Sequence, residues 1–293
     1  MKTVFASRWR LLKKLFTILI AIGFLIFVLL FIKNNSILTN SNLTLNQERA
    51  FISFLKVEPP IDFIPVNLKI TAIGDSLTVG VGATKKEGGY LNYIKSHLTE
   101  AKGVRNIEIT NLAKTGLRSD ELIKLLKQAE VKSQISNTDI VLVTIGGNDL
   151  MKVFTDHIIN LELPVFEREL VQFKQRLREI ITTIKGYNEN ISILLIGFYN
   201  PFNEWLGQIT EVQMIMDQWT TAGREIVSEY ENAYFVNIAD AFSKHGIDVL
   251  YEDYFHPNDS GYDLIGKETM DVILANIDTI LTARKVTLQY EKN

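Results

Sequence analysis

The chain has 293 residues, of which 46% are hydrophobic, a formal net charge of −3 and no cysteine. The lack of cysteine excludes disulfides, thiolate catalysis and cysteine-ligated metal sites. Residues 1–33 contain six basic and no acidic residues, so the remainder carries a net charge of about −9. That acidic remainder argues against nucleic acid or anionic lipid as its main partner.

The N-terminal segment predicts a membrane anchor. Residues 15–32 contain no charged residue and, apart from Thr17, no strongly polar one. At about 1.5 Å per helical residue, this run can cross a bilayer core of roughly 30 Å. The basic segment 1–14 predicts a cytoplasmic N-terminus, with the rest of a single-pass membrane protein outside the cell. The alternatives are a cleaved signal peptide, which would give a secreted protein, and a buried core helix.

Residues 33–67 are rich in Asn, Ser and Thr up to position 47, include several prolines after it, and predict a polar stalk and connector. One folded domain is predicted over 68–293, where short apolar runs alternate with helical patterns. The strands are predicted at 69–73, 107–112, 140–145, 191–197 and 234–238. The helices are predicted at 89–100, 119–134, 165–187, 211–231 and 260–283. This alternation predicts a doubly wound α/β sheet with right-handed crossovers.

Four short blocks contain the residues that point to chemistry. They are GDSL at 74–77, NLAKTG at 111–116, GGND at 146–149 and DYFH at 253–256. The first three follow the first three predicted strands, and the fourth precedes the last predicted helix. Because ligands bind beyond the carboxyl ends of strands in such sheets, we expect the four blocks to meet at one site.

The residue types in these blocks fit acyl transfer. The Ser76 hydroxyl is a weak nucleophile until a base removes its proton, and His256 can supply that base near neutral pH. Asp253 can accept the other ring N–H and stabilise the imidazolium. An oxyanion could be bound by the backbone N–H groups of Ser76 and Gly116 and by the Asn148 amide. Alternatively, Gly116 is a turn residue and Asn148 caps a turn.

In this order, the four blocks resemble the SGNH/GDSL hydrolases, a family of ester hydrolases, over about residues 68–280. The resemblance implies a flavodoxin-like three-layer α/β/α sandwich with a mainly parallel five-stranded sheet. It implies a catalytic triad of Ser76, Asp253 and His256, and an oxyanion hole formed by Ser76, Gly116 and Asn148. The chain would then be a membrane-anchored bacterial member of the family.

The expected function is that of a serine ester hydrolase that cleaves carboxylic esters through an acyl-enzyme, on cell-envelope lipid or O-acylated glycan. A non-catalytic envelope-binding or scaffold protein on the same fold, and an acyltransferase, are the alternatives. No cofactor or catalytic metal is expected, since the four histidines lack metal-site spacing and no phosphate loop is present. The oligomeric state is left open.

Some residues near the blocks have other predicted roles. Asp75 and Asp149 are expected to form loop hydrogen bonds, and Asp240 is an alternative to Asp253 as the histidine's partner. The aromatic residues of 198–202, together with Trp205, either line the acyl or alcohol pocket or are ordinary loop packing.

Overall fold

The computed structural model describes residues 22–26, 29, 63–84, 89–157 and 162–290. The chain divides into two units, Met1–Pro59 and Pro60–Asn293. Of the predicted anchor at 15–32, only residues 22–26 and 29 are described, and these are helical. The remainder of the anchor, segment 1–14 and the stalk up to residue 62 lie outside the described residues. Among the helices of the described residues, none has the length and apolar character needed to cross a membrane.

Five parallel strands form one sheet in the order β2-β1-β3-β4-β5, which confirms the predicted five-stranded parallel sheet. This order is the one found in flavodoxin-like doubly wound sheets. The strands are β1 (Val66–Gly74), β2 (Val104–Asn111), β3 (Ile140–Thr144), β4 (Ser192–Ile196) and β5 (Ala233–Val236).

In the described residues, the helices that follow or connect these strands are α1 (Ser76–Val79), α2 (Tyr90–Leu98), α3 (Ser119–Leu126), α4 (Ala129–Ser136), α5 (Gly147–Asp156), α6 (Leu163–Tyr187), α7 (Asn203–Leu206), α8 (Thr210–Val227), α9 (Ala239–His245), α10 (Asp259–Ala275) and α11 (Ile277–Tyr290). Of these, α1, α5, α7 and α9 were not predicted from the sequence. A 3₁₀ turn, Gly246–Val249, follows α9.

Apolar cores cover both faces of the sheet. Along β3, Val141 and Val143 pack in one core with residues of α3, α4, α5, α6 and α8. The alternate residues Ile140 and Leu142 pack in the other core with residues of α2, α10 and α11. Successive side chains of a strand point to opposite faces, so the nearly continuous hydrophobicity of the predicted strands is explained by helices on both sides of the sheet.

The single helix predicted over 119–134 is in fact two helices, α3 and α4. Gln128 has an extended backbone (φ −71°, ψ 137°) and separates them. The buried residues Leu126 and Val131 are five positions apart in the sequence, one more than the helical spacing of four. The extended residue takes up this difference, so both helices present apolar residues to the same core.

The last predicted helix, 260–283, is also divided, into α10 and α11. Asn276 lies between them in a non-helical conformation (φ −119°, ψ 13°). Its side-chain amide donates to the Val272 carbonyl at 2.8 Å and so satisfies one of the free carbonyls at the end of α10.

The carboxyl end of β1 is fixed by a close approach to β3. Gly74 has φ +140°, and a Cβ added there would lie 2.1 Å from the Thr144 carbonyl oxygen. Only glycine therefore fits this position without moving the neighbouring strand. The residues that follow Gly74 leave the sheet directly beyond its carboxyl edge.

Candidate active site

Ser76 begins the short helix α1 and is held in place by the residue before it. The Asp75 side chain caps the helix by accepting from the Leu77 N–H at 3.1 Å and also accepts from the Thr144 hydroxyl at 2.9 Å. Burial raises the pKa of the Asp75 carboxyl, although the hydrogen bonds from Thr144 and Leu77 act in the opposite direction. Asp75 thus forms the loop hydrogen bonds expected of it and fixes the turn that carries Ser76.

Ser76, His256 and Asp253 lie in one hydrogen-bonded chain. The distance between Ser76 Oγ and His256 Nε2 is 2.8 Å, and that between His256 Nδ1 and Asp253 Oδ2 is 2.6 Å. The structure brings these residues together across 180 positions of sequence. With Asp253 ionised, Nδ1 carries the ring proton and Nε2 is free to accept the serine proton.

The second carboxylate oxygen of Asp253 is bound by the backbone. Asp253 Oδ1 accepts from the N–H groups of Phe255 and His256, both at 2.9 Å. Burial acts to raise the pKa of Asp253, but the hydrogen bonds from the His256 side chain and from these two N–H groups outweigh it and lower the pKa. The carboxylate is therefore fixed in orientation and ionised at neutral pH.

The loop that holds Asp253 and His256 is tight and well anchored. Between them, Tyr254 has φ +55°, a left-handed conformation that is uncommon for tyrosine. The loop is closed by the Tyr251 N–H, which donates to the His256 carbonyl at 2.7 Å. The Tyr199 hydroxyl donates to the Phe255 carbonyl at 2.5 Å and ties the loop to the end of β4.

The two other predicted oxyanion donors, Gly116 and Asn148, lie near each other. Asn148 is in the first turn of α5, after β3, and it lines the same pocket as Ser76 and His256. Its side-chain amide donates one N–H to the Leu117 carbonyl at 3.1 Å, and an amide has a second N–H to offer. Gly116 is exposed, with φ +79°, directly before Leu117. The roles of both residues as oxyanion donors stay predictions.

A buried charged cluster lies behind Asn148, and sequence reasoning found only one of its members. The Asp149 carboxylate is 3% exposed and accepts from the Ser119 N–H at 3.0 Å and the Ser119 hydroxyl at 2.5 Å. Arg176 of α6 donates to Ser119 Oγ at 2.6 Å and to Asp149 at 3.2 Å, and it also pairs with Glu169. Burial raises the pKa of Asp149, and the bonds from Ser119 and the charge of Arg176 oppose that rise.

This cluster joins the start of α3 to the start of α5, so it fixes the two segments that carry Gly116 and Asn148. Asp149 forms hydrogen bonds as expected. The partner Arg176 lies 57 residues from Ser119 on a helix with a regular pattern, and nothing in the sequence marks it out.

An apolar pocket opens beside Ser76. Phe198, Tyr199 and Phe202 line it, so of the two alternatives for the 198–202 segment the structure favours pocket lining over ordinary loop packing. The side chain of Trp205 is outside the described residues. Sequence reasoning missed the contributions of α5 and α8, which are Leu150, Met151, Phe154, Val212, Ile215 and Met216.

The alternative acid, Asp240, does not pair with His256. Its carboxylate accepts from the Asn237 side chain at 3.2 Å, in the turn that begins α9. Asp253 is therefore the acid that the structure places on the histidine.

The sequence model of the GDSL-like Lipase/Acylhydrolase family matches residues 72–264. The protein YpmR of Bacillus subtilis (strain 168) is 32% identical over 209 residues, which are 71% of this chain and 82% of YpmR. The spore germination lipase LipC of Bacillus licheniformis is 26% identical over 210 residues, 69% of this chain and 95% of LipC.

The fold is also found among solved structures. The lipase Lip_vut3 from a goat rumen metagenome superimposes with a TM-score of 0.63 at 22% identity, covering 70% of this chain and 96% of the lipase.

Proposed function

This chain belongs to the GDSL-like lipase/acylhydrolase family and is an ester hydrolase, and we propose that it cleaves carboxylic esters through an acyl-enzyme formed on Ser76. The observation that carries the proposal is the chain of hydrogen bonds from Ser76 Oγ through the His256 ring to Asp253, at 2.8 and 2.6 Å. A nucleophile, a base within hydrogen-bond distance and a group that orients the base are the parts that acyl transfer requires.

In the first half-reaction, Ser76 Oγ attacks the ester carbonyl while His256 Nε2 takes the serine proton. The tetrahedral oxyanion is bound by the Ser76 and Gly116 N–H groups and the Asn148 amide. A single preorganised donor of this kind stabilises the transition state by about 3–4 kcal/mol. His256 then gives its proton to the leaving alcohol, and the C–O bond breaks. In the second half-reaction, water adds to the acyl-enzyme as His256 Nε2 takes one of its protons. His256 then returns that proton to Ser76 Oγ as the bond between Oγ and the acyl carbon breaks, and the carboxylic acid is released.

Detection of the acyl-enzyme tests this mechanism. On mixing the protein with excess p-nitrophenyl acetate and quenching in acid, we expect mass spectrometry to find an acetyl group on the peptide that contains Ser76. An acetyl group on another residue, with Ser76 unmodified at full turnover, would reject Ser76 as the nucleophile.

The same reaction separates hydrolysis from acyl transfer. With glycerol added as a competing acceptor, a hydrolase releases mainly acetate, whereas an acyltransferase forms mainly glyceryl acetate. We propose hydrolysis as the main outcome, since the family is one of acylhydrolases.

We further propose that the enzyme is tethered to the outer face of the cell membrane and acts on esters of the cell envelope. The support is the uncharged run 15–32 behind a segment that contains only basic charges. In intact cells that express the full chain, added protease should degrade the domain and leave a cytoplasmic marker protein whole. Protection of the domain until the cells are lysed would overturn this topology.

A further inference from the structure

The pocket beside Ser76 is a continuous apolar surface that begins at the candidate base. The ring centroids of Phe255 and His256 are 5.1 Å apart, and those of Phe202 and Phe255 are 6.2 Å apart. The Phe154 ring stacks on that of Phe202, with centroids 5.8 Å apart. Ile215 and Met216 of α8 line the same pocket. Aromatic and aliphatic side chains from four separate segments therefore face one space next to the nucleophile.

Among the described residues that line the pocket, none is a lysine or an arginine. Its polar groups are few, namely Asp75, Ser76, Asn148, Tyr199 and His256. The Asp75 carboxylate already accepts hydrogen bonds from the Leu77 N–H and the Thr144 hydroxyl, and the Tyr199 hydroxyl donates to the Phe255 carbonyl. A phosphate or a sugar would lose its hydrogen bonds to water in such a pocket, which makes either an unfavourable occupant.

Several of the apolar lining residues are only partly buried. Phe154, Phe198, Phe202, Met216 and Phe255 are of intermediate exposure. A contiguous apolar surface left open to water beside a reactive group is typical of a binding site for an apolar ligand.

We propose that this pocket binds the hydrocarbon chain of a fatty-acyl ester and that Met216 limits the length of the chain. The proposal rests on the proposed function, because it places the carbonyl of that ester at Ser76. In an ester of a fatty acid with glycerol or a sugar, the acyl half is hydrocarbon and the alcohol half is polar. The apolar pocket therefore takes the acyl half, and the alcohol leaves past His256 toward solvent.

Helix α8 offers a matched pair of methionines to test this. Val212, Ile215 and Met216 lie on the face that lines the pocket, with Trp219 buried one turn further on. Met214 is on the same helix but is 44% exposed and does not line the pocket. A change from methionine to tryptophan at each position adds the same volume, but only the change at Met216 adds it to the pocket.

The measurement is kcat/KM for p-nitrophenyl acetate, butyrate and octanoate. Each methylene buried in an apolar site favours binding roughly fourfold, so we expect octanoate to exceed acetate by roughly tenfold or more in the parent. Met216→Trp should lower the octanoate-to-acetate ratio roughly tenfold, and Met214→Trp should leave it unchanged. Met216→Ala, which needs no extra space, should shift the preference toward longer chains. A ratio that stays constant in both Met216 variants would overturn the assignment.

Isomeric esters decide which half of the substrate enters the pocket. Methyl octanoate carries its long chain on the acyl side, and heptyl acetate has the same atoms with the chain on the alcohol side. We expect methyl octanoate to be preferred and Met216→Trp to reduce that preference. A preference for heptyl acetate would place the alcohol in the pocket and overturn the proposal.

Failure of the proposed function can be told apart from failure of the pocket assignment. Calorimetric titration of Ser76→Ala with dodecanoic acid measures binding without turnover. Binding that is weakened at least tenfold by adding Met216→Trp, and not by adding Met214→Trp, supports the acyl pocket even if no ester is cleaved. Absence of binding to Ser76→Ala, or equal binding with and without Met216→Trp, would reject it.

Discussion

Changing Ser76 to alanine should lower kcat for p-nitrophenyl butyrate by about 10⁵–10⁶-fold, the size of loss seen when the nucleophile of a serine triad is removed. The reason is that Ser76 Oγ is the hydroxyl on which His256 Nε2 acts, at 2.8 Å. What remains would come from oxyanion binding and substrate positioning. Steady-state kinetics of the purified variant beside the parent measures the change.

The fold should be little affected by this substitution. The Ser76 carbonyl, which accepts from the Gly80 N–H at 3.0 Å and closes α1, is unchanged in alanine. The loss of one side-chain hydrogen bond costs about 1 kcal/mol of the free energy of unfolding. Chemical denaturation checks this. Ser96→Ala is the control, since Ser96 is an exposed serine whose hydroxyl contacts its own helix and the adjacent His97. Turnover retained in Ser76→Ala would contradict the assignment of the nucleophile.

The sheet and the meeting of the four blocks could be predicted because they depend on local patterns. The strands β3 and β4 are continuous buried runs, and parallel strands must place their carboxyl ends at one edge. That edge is where Ser76 and Asn148 lie, and the loop with His256 reaches the same place. A resemblance at four separated blocks then assigned a role to each of those residues.

The walls of the site could not be predicted, because they come from side chains that ordinary helical periodicity explains equally well. Met216 follows Ile215 on a helix with a regular apolar face, and the same pattern describes a helix that packs wholly into a core. Likewise Arg176 is one of several basic residues on α6. Its contact with Asp149 depends on how α6 lies against α3 and α5, which no local pattern specifies. The breaks at Gln128 and Asn276 were missed because neither glycine nor proline marks them.

Changing Asp253 to asparagine should lower kcat by about 10⁴-fold, although the side chain keeps its shape. Asp253 Oδ1 accepts from two backbone N–H groups, so the carbonyl oxygen of an asparagine would take that place. The amide nitrogen would then face His256 Nδ1, where Oδ2 lies at 2.6 Å. An NH₂ group donates and cannot accept, so it favours the tautomer in which Nδ1 has no proton. In that tautomer Nε2 carries the proton and cannot take one from Ser76.

The pKa of Asp253 is lowered, so the comparison between parent and variant can be made at a pH where the carboxyl group is fully ionised. A carboxyl group whose pKa is lowered on folding stabilises the folded state above its ordinary pKa, and this contribution is lost only as the pH falls through the lowered value. Parent and variant can therefore be compared near neutral pH, where Asp253 of the parent is ionised. We expect kcat to fall for Asp253→Asn and to change little for Asp248→Asn, a substitution in the neighbouring 3₁₀ turn. Equal activity in Asp253→Asn and the parent would show that His256 is oriented by the loop alone and that the acid is not needed.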